Sequence, residues 1–281
     1  MRPVKFVFLL LIMIGLDITA YTQKYQGDSW AKVKSTGSGT LTVVYAEQFG
    51  LVHKDKDGNI KGVCVDILSD FAQFVKTHHG KTITIKYAEE IPVFSEFLTT
   101  CQNAPNILGV TNTTITEERK KVLKFSPPYM SNRQVMLTNN KAPSIVSLKE
   151  LPGKFSDFTA QVIAGSTHVQ YVEKLKSDYM PGLKITQETS GPAIIKNLVT
   201  NPKIFTIIDF TEFVDVVHKK LPVKRQMVDV GVVEELGFIM SKQTDWDVPL
   251  KEFLTSDYRN SVAYRKIISE NLGATFMNLV K

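Results

Sequence analysis

Twice along this chain the same alternation recurs: short apolar runs separated by amphipathic helical stretches, in the order β-α-β-α-β. That order constrains the fold more than any single residue does. Parallel strands need helical crossovers, and the crossovers cover the faces of the sheet they join. The first set takes a strand over residues 41–46 and a helix opening at Gly62, with Ile67, Leu68, Phe71, Phe74 and Val75 on one face. It continues with a strand over 81–87, a short helix over 92–101 and the apolar run Ile107–Val110. Asp57-Gly58 marks a tight turn between short extended pieces. The second set takes strands at 161–164, 184–186 and 205–208, with helices at 169–177 and 193–201. A helix over 211–219 and extended residues at 226–228 follow it. Residues 133–138 extend between the sets, and a short helical turn falls at 148–151. A late strand over 236–240 precedes helices over 246–254, over 256–272 with a break, and over 275–280. The pattern predicts two similar α/β units facing each other across a cleft, an arrangement that closes on ligands by hinge motion.

Length and composition fit one large or two medium globular domains: 281 residues, 43% hydrophobic and 22% charged. The net charge of +6 favours anionic ligands weakly. The basic residues are dispersed and no basic block is interleaved with aromatics, so nothing supports nucleic acid as a partner and none is expected. At the N-terminus Arg2 and Lys5 flank an eleven-residue apolar run over 6–16, followed by small residues to Ala20. This is the order of a secretory signal, and the run is too short for a comfortable membrane span. Residues 1–20 are therefore expected to be cleaved, with the mature protein in the periplasm and 21–37 as a polar leader. No cysteine follows the apolar run, so no lipid anchor of the bacterial lipoprotein kind is expected. Cys64 and Cys101 are too few for a disulfide framework and have no histidines at metal spacing. Cys64 opens a helix near the cleft side, and Cys101 ends one running away from it. Ten helical residues span roughly 15 Å, against a limit of roughly 7 Å between disulfide Cα atoms. Two free thiols are expected.

The chemistry gathers at strand ends. Ile107–Val110 runs into Thr111, Asn112, Thr113 and Thr114, then Thr116-Glu117-Glu118-Arg119, and closes on Phe125-Ser126-Pro127-Pro128-Tyr129. Open α/β sheets hold ligands at such strand ends. Hydroxyls, backbone N–H groups and an arginine fork that meets two oxygens at once suit a small carboxylate. In the second set a strand ends at Gly165-Ser166-Thr167-His168 before a helix, which makes an anion-binding corner. Another ends on Asp209. Each residue also has a plainer reading. Arg119 could face solvent, and Asp209, Ser166 or Thr167 could cap the following helix. His168 reads as a first-turn helix residue, Phe94 as core, Trp246 as packing for the C-terminal helices and Asp66 as a helix-start residue.

The stretch T-N-T-T-I-T-E-E-R-K-K-V-L-K-F-S-P-P-Y resembles the signature of the family 3 extracellular solute-binding proteins, the periplasmic polar amino-acid-binding components of ABC transporters. The signal sequence, the G-x-x-V-D-I-L helix start, the G-S-T corner and the late I-I-D fall in the same order. The resemblance implies a type II periplasmic-binding fold: two lobes of mixed β-sheet flanked by helices, with a hinge and a central cleft. Lobe 1 would be residues 38–130 plus 229–281 and lobe 2 residues 131–228, with crossings near 131–133 and 227–230. Arg119 would clamp a ligand α-carboxylate with help from Thr114, and Ser166 and Thr167 would grip it from across the cleft. Asp209 would hold the α-ammonium, and Tyr45 and Glu47 would contact the ligand from the end of the first strand. The implied function is capture of a small amino acid or related carboxylate for uptake, without catalysis or cofactor. The protein would act as a monomer that delivers its ligand to a membrane ABC permease.

Several positions depart from the family pattern. Asn112 stands where glycine is common, and Ala164 replaces a basic residue. Ala46 takes the first-strand acidic place with Glu47 next to it, and Lys124 precedes Phe125. Asn112 and Ala164 sit where the side-chain pocket is read, so Asn112 joins the candidate site. Two other functions use the same fold: a cyclohexadienyl dehydratase-like enzyme, for which Glu47 is the candidate acid, and a ligand-sensing domain that feeds a receptor.

Overall fold

The computed structural model describes residues 25–274. The expected secretory signal and the helix over 275–280 lie outside the described residues. The chain enters through α1 (Trp30–Thr36), capped by the Ser29 hydroxyl and closed by Gly37 in the left-handed region. This helix falls inside the stretch read as a polar leader. Two residues anchor it: Trp30 and Val33 are buried, and Trp30 packs 5.6 Å from the Trp246 ring. Then come β1 (Ser38–Tyr45), the small hairpin of β2 (His53–Lys54) and β3 (Ile60–Lys61), α2 (Val63–His79) and β4 (Thr82–Glu90). After these follow α3 (Phe94–Asn103), β5 (Ile107–Val110), α4 (Glu117–Val122) and β6 (Leu123–Phe125). The long β7 (Met130–Asn139) leads through a 3-10 turn at Leu148–Glu150 to α5 (Leu151–Lys154). Next are β8 (Thr159–Ile163), α6 (His168–Tyr179), β9 (Lys184–Glu188), α7 (Gly191–Thr200), β10 (Ile204–Asp209), α8 (Phe210–His218) and β11 (Val223–Arg225). The chain ends in β12 (Val233–Leu236), β13 (Ile239–Ser241), α9 (Asp247–Phe253), α10 (Ser256–Arg259) and α11 (Val262–Leu272).

Two sheets result. One runs β4-β1-β5-β13-β6, with β4, β1 and β5 parallel and β13 antiparallel to its neighbours. The other runs β11-β7-β10-β8-β9, with β10, β8 and β9 parallel and β7 antiparallel. The alternation of strands and helices thus produces parallel cores with helical crossovers, as the sequence pattern requires.

The connection between the sheets is a two-stranded ribbon. Residues 130–133 of β7 pair with β12, and residues 134–138 of the same strand pair with β10. The second strand of the ribbon is Val233–Leu236, which follows the 227–230 crossing that the resemblance implies. Extended structure expected at 226–228 sits instead at Val223–Arg225, where Val223 is buried and paired with Asn139. The single late strand expected over 236–240 is two strands. Its break is Gly237, where a side-chain Cβ would meet Ile115 at 3.0 Å. There the chain steps from the ribbon into the first sheet, while Thr113–Ile115 line the other edge of β12 through Gly237 N–Thr113 O and Ile115 N–Glu235 O bonds.

Alternating residues of the first sheet feed two apolar layers. Val43 and Tyr45 face the large core with α2, Trp246 and the C-terminal helices, and Val44 faces the layer with Phe97, Ile107 and Ile239. Each fully buried Leu, Phe or Ile contributes roughly 1.5–3 kcal/mol. Both cysteines are free and buried, Cys64 in the first layer and Cys101 in the second, on opposite faces of the sheet. Burial pushes the Cys64 thiol up to about 12, against a bond with Tyr129 that lowers it. Neither thiol is available as a nucleophile at neutral pH.

Candidate functional site

Where β5 ends, the chain turns beside β12 and α6, and polar side chains from both sheets meet around two buried carboxylates. Asp209 closes β10, 2% exposed, and Glu234 lies on β12, 6% exposed. Asp209 occupies the N-cap position of α8, yet its side chain makes no cap bond. Both oxygens turn into the cluster instead. Oδ1 accepts from Asn132 Nδ2 at 2.5 Å and Gln134 Nε2 at 2.7 Å, and His168 Nε2 lies 3.2 Å away. Oδ2 accepts from Asn112 Nδ2. Burial alone would raise this carboxyl, but His168 and the amide donors outweigh it and hold the carboxyl below its ordinary range.

Glu234 is held in the same way. Its Oε2 accepts from Thr114 Oγ1 and from Gln134 Nε2, both at 2.7 Å, and its Oε1 accepts from Tyr171 OH at 2.5 Å. One amide, Gln134, therefore donates to both carboxylates. Burial and the Glu234 carboxylate push the Tyr171 phenol well above its usual value, which keeps it a donor.

Arg119 stands on the first turn of α4, below the Thr116 cap. Its Nη1 donates to Thr114 O at 2.9 Å and its Nη2 to Gly165 O at 3.1 Å, so it reaches the second-sheet corner. The guanidinium carbon sits 5.3 Å from the Phe94 ring centre, a cation–π contact. Two of five N–H groups are used in these bonds, leaving three to meet a ligand. Burial lowers its pKa, opposed by the charges of Glu234 and Asp209.

Of the residues singled out from sequence, Asn112, Thr114, Arg119 and Asp209 meet in this cluster. Ser166 does not: its hydroxyl donates back to Ile163 O at 2.7 Å. Thr167 makes no cap bond, and its hydroxyl lies against Tyr171. Tyr45 is fully buried at the end of β1, and its hydroxyl has no hydrogen-bond partner. Glu47 is exposed, among Glu90, Lys219, Asp215 and Lys54. His168, read as an ordinary first-turn residue, is instead buried on Asp209. Phe94 is half-buried beneath Arg119 rather than wholly in the core. Asp66 accepts from Asn271, which ties α2 to α11.

Sequence reasoning missed Asn132, Gln134, Tyr171 and Glu234. Three of them carried a readable signal. Asn132 and Gln134 are two apart on β7 and share one face, a polar pair leading into the apolar run Val135–Leu137. Tyr171 follows His168 by three, on the same helical face. Glu234 is legible only once Val233–Leu236 is known to be a strand, buried at every second residue.

A further acidic row begins at Asp209. Glu212 and Asp215 follow it at three and six residues along α8, 2% and 7% exposed. Burial, then the charges of Asp209 and Asp215, push the Glu212 carboxyl up to about 8. The loop after β1 packs on this helix, with the Phe49 ring stacked 4.5 Å from His218.

The family model for bacterial extracellular solute-binding proteins, family 3, matches residues 41–245. No curated protein matches the chain. Among solved structures, an ancestral arginine-binding protein bound to glutamine is 23% identical, with a TM-score of 0.66 over 83% of this chain and 98% of that one. An ABC uptake transporter substrate binding protein from Streptococcus pneumoniae with bound histidine is 17% identical, with a TM-score of 0.70 over 90% and 98%. An ancestral amino acid-binding protein, a precursor of cyclohexadienyl dehydratase, is 21% identical, with a TM-score of 0.67 over 86% and 98%. At these identities the likeness establishes the fold: a mixed α/β, type II periplasmic-binding architecture.

Proposed function

The chain belongs to the bacterial extracellular solute-binding proteins of family 3, and from that premise we propose that it captures a small amino acid or related carboxylate between its two sheets. It would serve ABC-type uptake as an exported monomer that hands its ligand to a membrane permease. One observation carries this reading: in a cluster built from both sheets, Arg119 reaches Gly165 O and Asn112 reaches Asp209 from the other sheet. The three spare N–H groups of Arg119 offer donors to a carboxylate, and Asp209 offers an acceptor to an ammonium. Charge-assisted bonds at both ends fix one orientation of the ligand. Glu47, the candidate acid of the dehydratase alternative, lies among Glu90, Lys219, Asp215 and Lys54, apart from the hydrogen-bonded cluster.

The test is thermal unfolding of the protein against amino acids, small peptides and keto acids. A ligand at 100 times its Kd stabilises the folded state by about 2.7 kcal/mol. The reading predicts that at least one amino acid raises the melting temperature, and that Arg119→Ala abolishes the shift while the unliganded protein still melts cooperatively. No shift with any carboxylate would overturn it.

A further inference from the structure

The chain carries a net charge of +6, yet it buries carboxyl side chains rather than lysines or arginines. Among the described residues four carboxylates are buried, Asp209, Glu212, Asp215 and Glu234, and no lysine or arginine is. Asp209 and Glu234 meet in the cluster, while Glu212 is hydrogen-bonded to Gln48 and Asp215 lies near Glu47, both in the loop after β1. Asp209, Glu212 and Asp215 rise along one face of α8, in steps of roughly 4.5 Å. Glu234 joins Asp209 from the other side through the shared Gln134 amide. Glu47 adds a like charge opposite the row, with Glu90 and Asp215 as its acidic neighbours. Lys219, itself mostly exposed, reaches one oxygen of Asp215 at 2.9 Å. Arg119 is the only other cation in the cluster's hydrogen-bond network, and it spends its two bonds on carbonyls.

Several buried polar atoms around these acids have no hydrogen-bond partner. Asp215 Oδ1, Asn132 Oδ1 and Gln134 Oε1 are buried and have no hydrogen-bond partner. The amide nitrogens of Asn132 and Gln134 face Asp209, so the groups left over are oxygens. His168 adds to them, since Nε2 faces Asp209 and the buried Nδ1 has no partner. The unmet amide, carboxylate and imidazole atoms are acceptors, whereas the unmet hydroxyls of Tyr45, Thr113 and Thr211 can donate or accept; buried acceptors left unpaired are destabilising. A ligand rich in N–H donors satisfies them. A shared metal ion does not fit, because no three metal-binding side chains among the described residues are grouped to hold one.

We propose that the ligand carries two cationic nitrogens. One is held at Asp209 and Glu234 beneath the Gln134 amide, and the other along Glu212 and Asp215. An amino acid with an ammonium or guanidinium side chain supplies this pair, and so does the corresponding diamine. The inference rests on the same cleft as the uptake reading but not on the carboxylate clamp at Arg119.

Calorimetric titration of the full mature chain with four probes tests it. They are L-lysine, L-norleucine (which lacks the second cation), cadaverine (which lacks the carboxylate) and L-glutamate. Lysine is expected to bind roughly 100-fold more tightly than norleucine, as loss of a buried charge pair implies. Asp215→Asn should weaken lysine roughly tenfold and leave norleucine unchanged. Equal binding of lysine and norleucine, or tighter binding of glutamate than of lysine, overturns the inference and leaves the amino-acid reading standing. Cadaverine matching lysine, with both insensitive to Arg119→Ala, removes the carboxylate clamp and leaves the inference standing. Failure of lysine and cadaverine alike overturns it. If Asp215→Asn melts below the parent, the parent's lysine-to-norleucine ratio alone decides.

Discussion

The two strand-to-helix corners that face each other here look alike in sequence and behave differently in three dimensions. At the first, Ile107–Val110 runs through Asn112 and Thr114 to Arg119, and all three side chains reach the buried cluster. At the second, the loop hydroxyls stay at home: Ser166 bonds Ile163 O, and the cluster is reached by His168 and Tyr171 from inside the helix. The difference lies in backbone pairing. Thr113 and Ile115 are hydrogen-bonded to β12, which aims Thr114 inward at Glu234. Ser166 has no neighbouring strand, so its hydroxyl satisfies its own turn, as short polar side chains do when free to bond locally.

Substitutions in the two corners can break that contrast. Arg119→Ala should have the largest effect and weaken ligand binding at least roughly 100-fold, as titration calorimetry will measure. A binding loss of the same size in Ser166→Ala would make the corners equivalent and refute the contrast. His168→Ala removes a buried partner of Asp209 and should cost about 1–3 kcal/mol in denaturant unfolding. An unchanged stability would show that the amides alone satisfy Asp209. Ser166→Ala itself should shift stability by less than about 1 kcal/mol, the worth of one local hydrogen bond, with binding retained.

The α8 row gives a pH-dependent form of the same comparison. Glu212, pushed up to about 8 mainly by burial, keeps a proton in the folded protein that the unfolded chain releases near pH 4.3. The folded state then binds more protons than the unfolded one across that window, so this group makes stability fall as pH rises through it. Glu212→Gln should flatten the fall in melting temperature between pH 5 and pH 8. Asp209 runs the other way, because His168 and its amide donors hold it low. Its contribution is present above the ordinary aspartate range and is lost only on acidification. A Glu212→Gln variant with the parent's pH profile would remove Glu212 from the buried row.

Much of this architecture is legible in the sequence, because it depends on periodicity. The apolar spacing on α2, the alternation in β4 and the short buried β5 all specify their own burial. The motif around Arg119 is legible for the same reason, since its order reflects one continuous strand, turn and helix. What failed was set by distant pairing. Val233–Leu236 became a separate strand because Met130–Arg133 pairs with it and Gly237 lets the chain turn away. Without that register Glu234 reads as one of two adjacent surface acids. The helix Trp30–Thr36 was hidden for a similar reason. Its sequence is polar apart from the residues that dock on Trp246, a contact more than 200 positions away in sequence. Asn112, the misfit in the motif, finds its reason across the cleft as a donor to Asp209.

A crystal structure of the protein with an amino acid or diamine bound shows directly whether Arg119 and Asp209 hold the ligand. The ligand should lie between the sheets, with its ammonium at Asp209 and any carboxylate within hydrogen-bond distance of Arg119. Density lying instead in the cavity of about 880 Å³ beside the ribbon, against Thr116, Lys120 and Lys124, with Arg119 and Asp209 untouched, would contradict this placement.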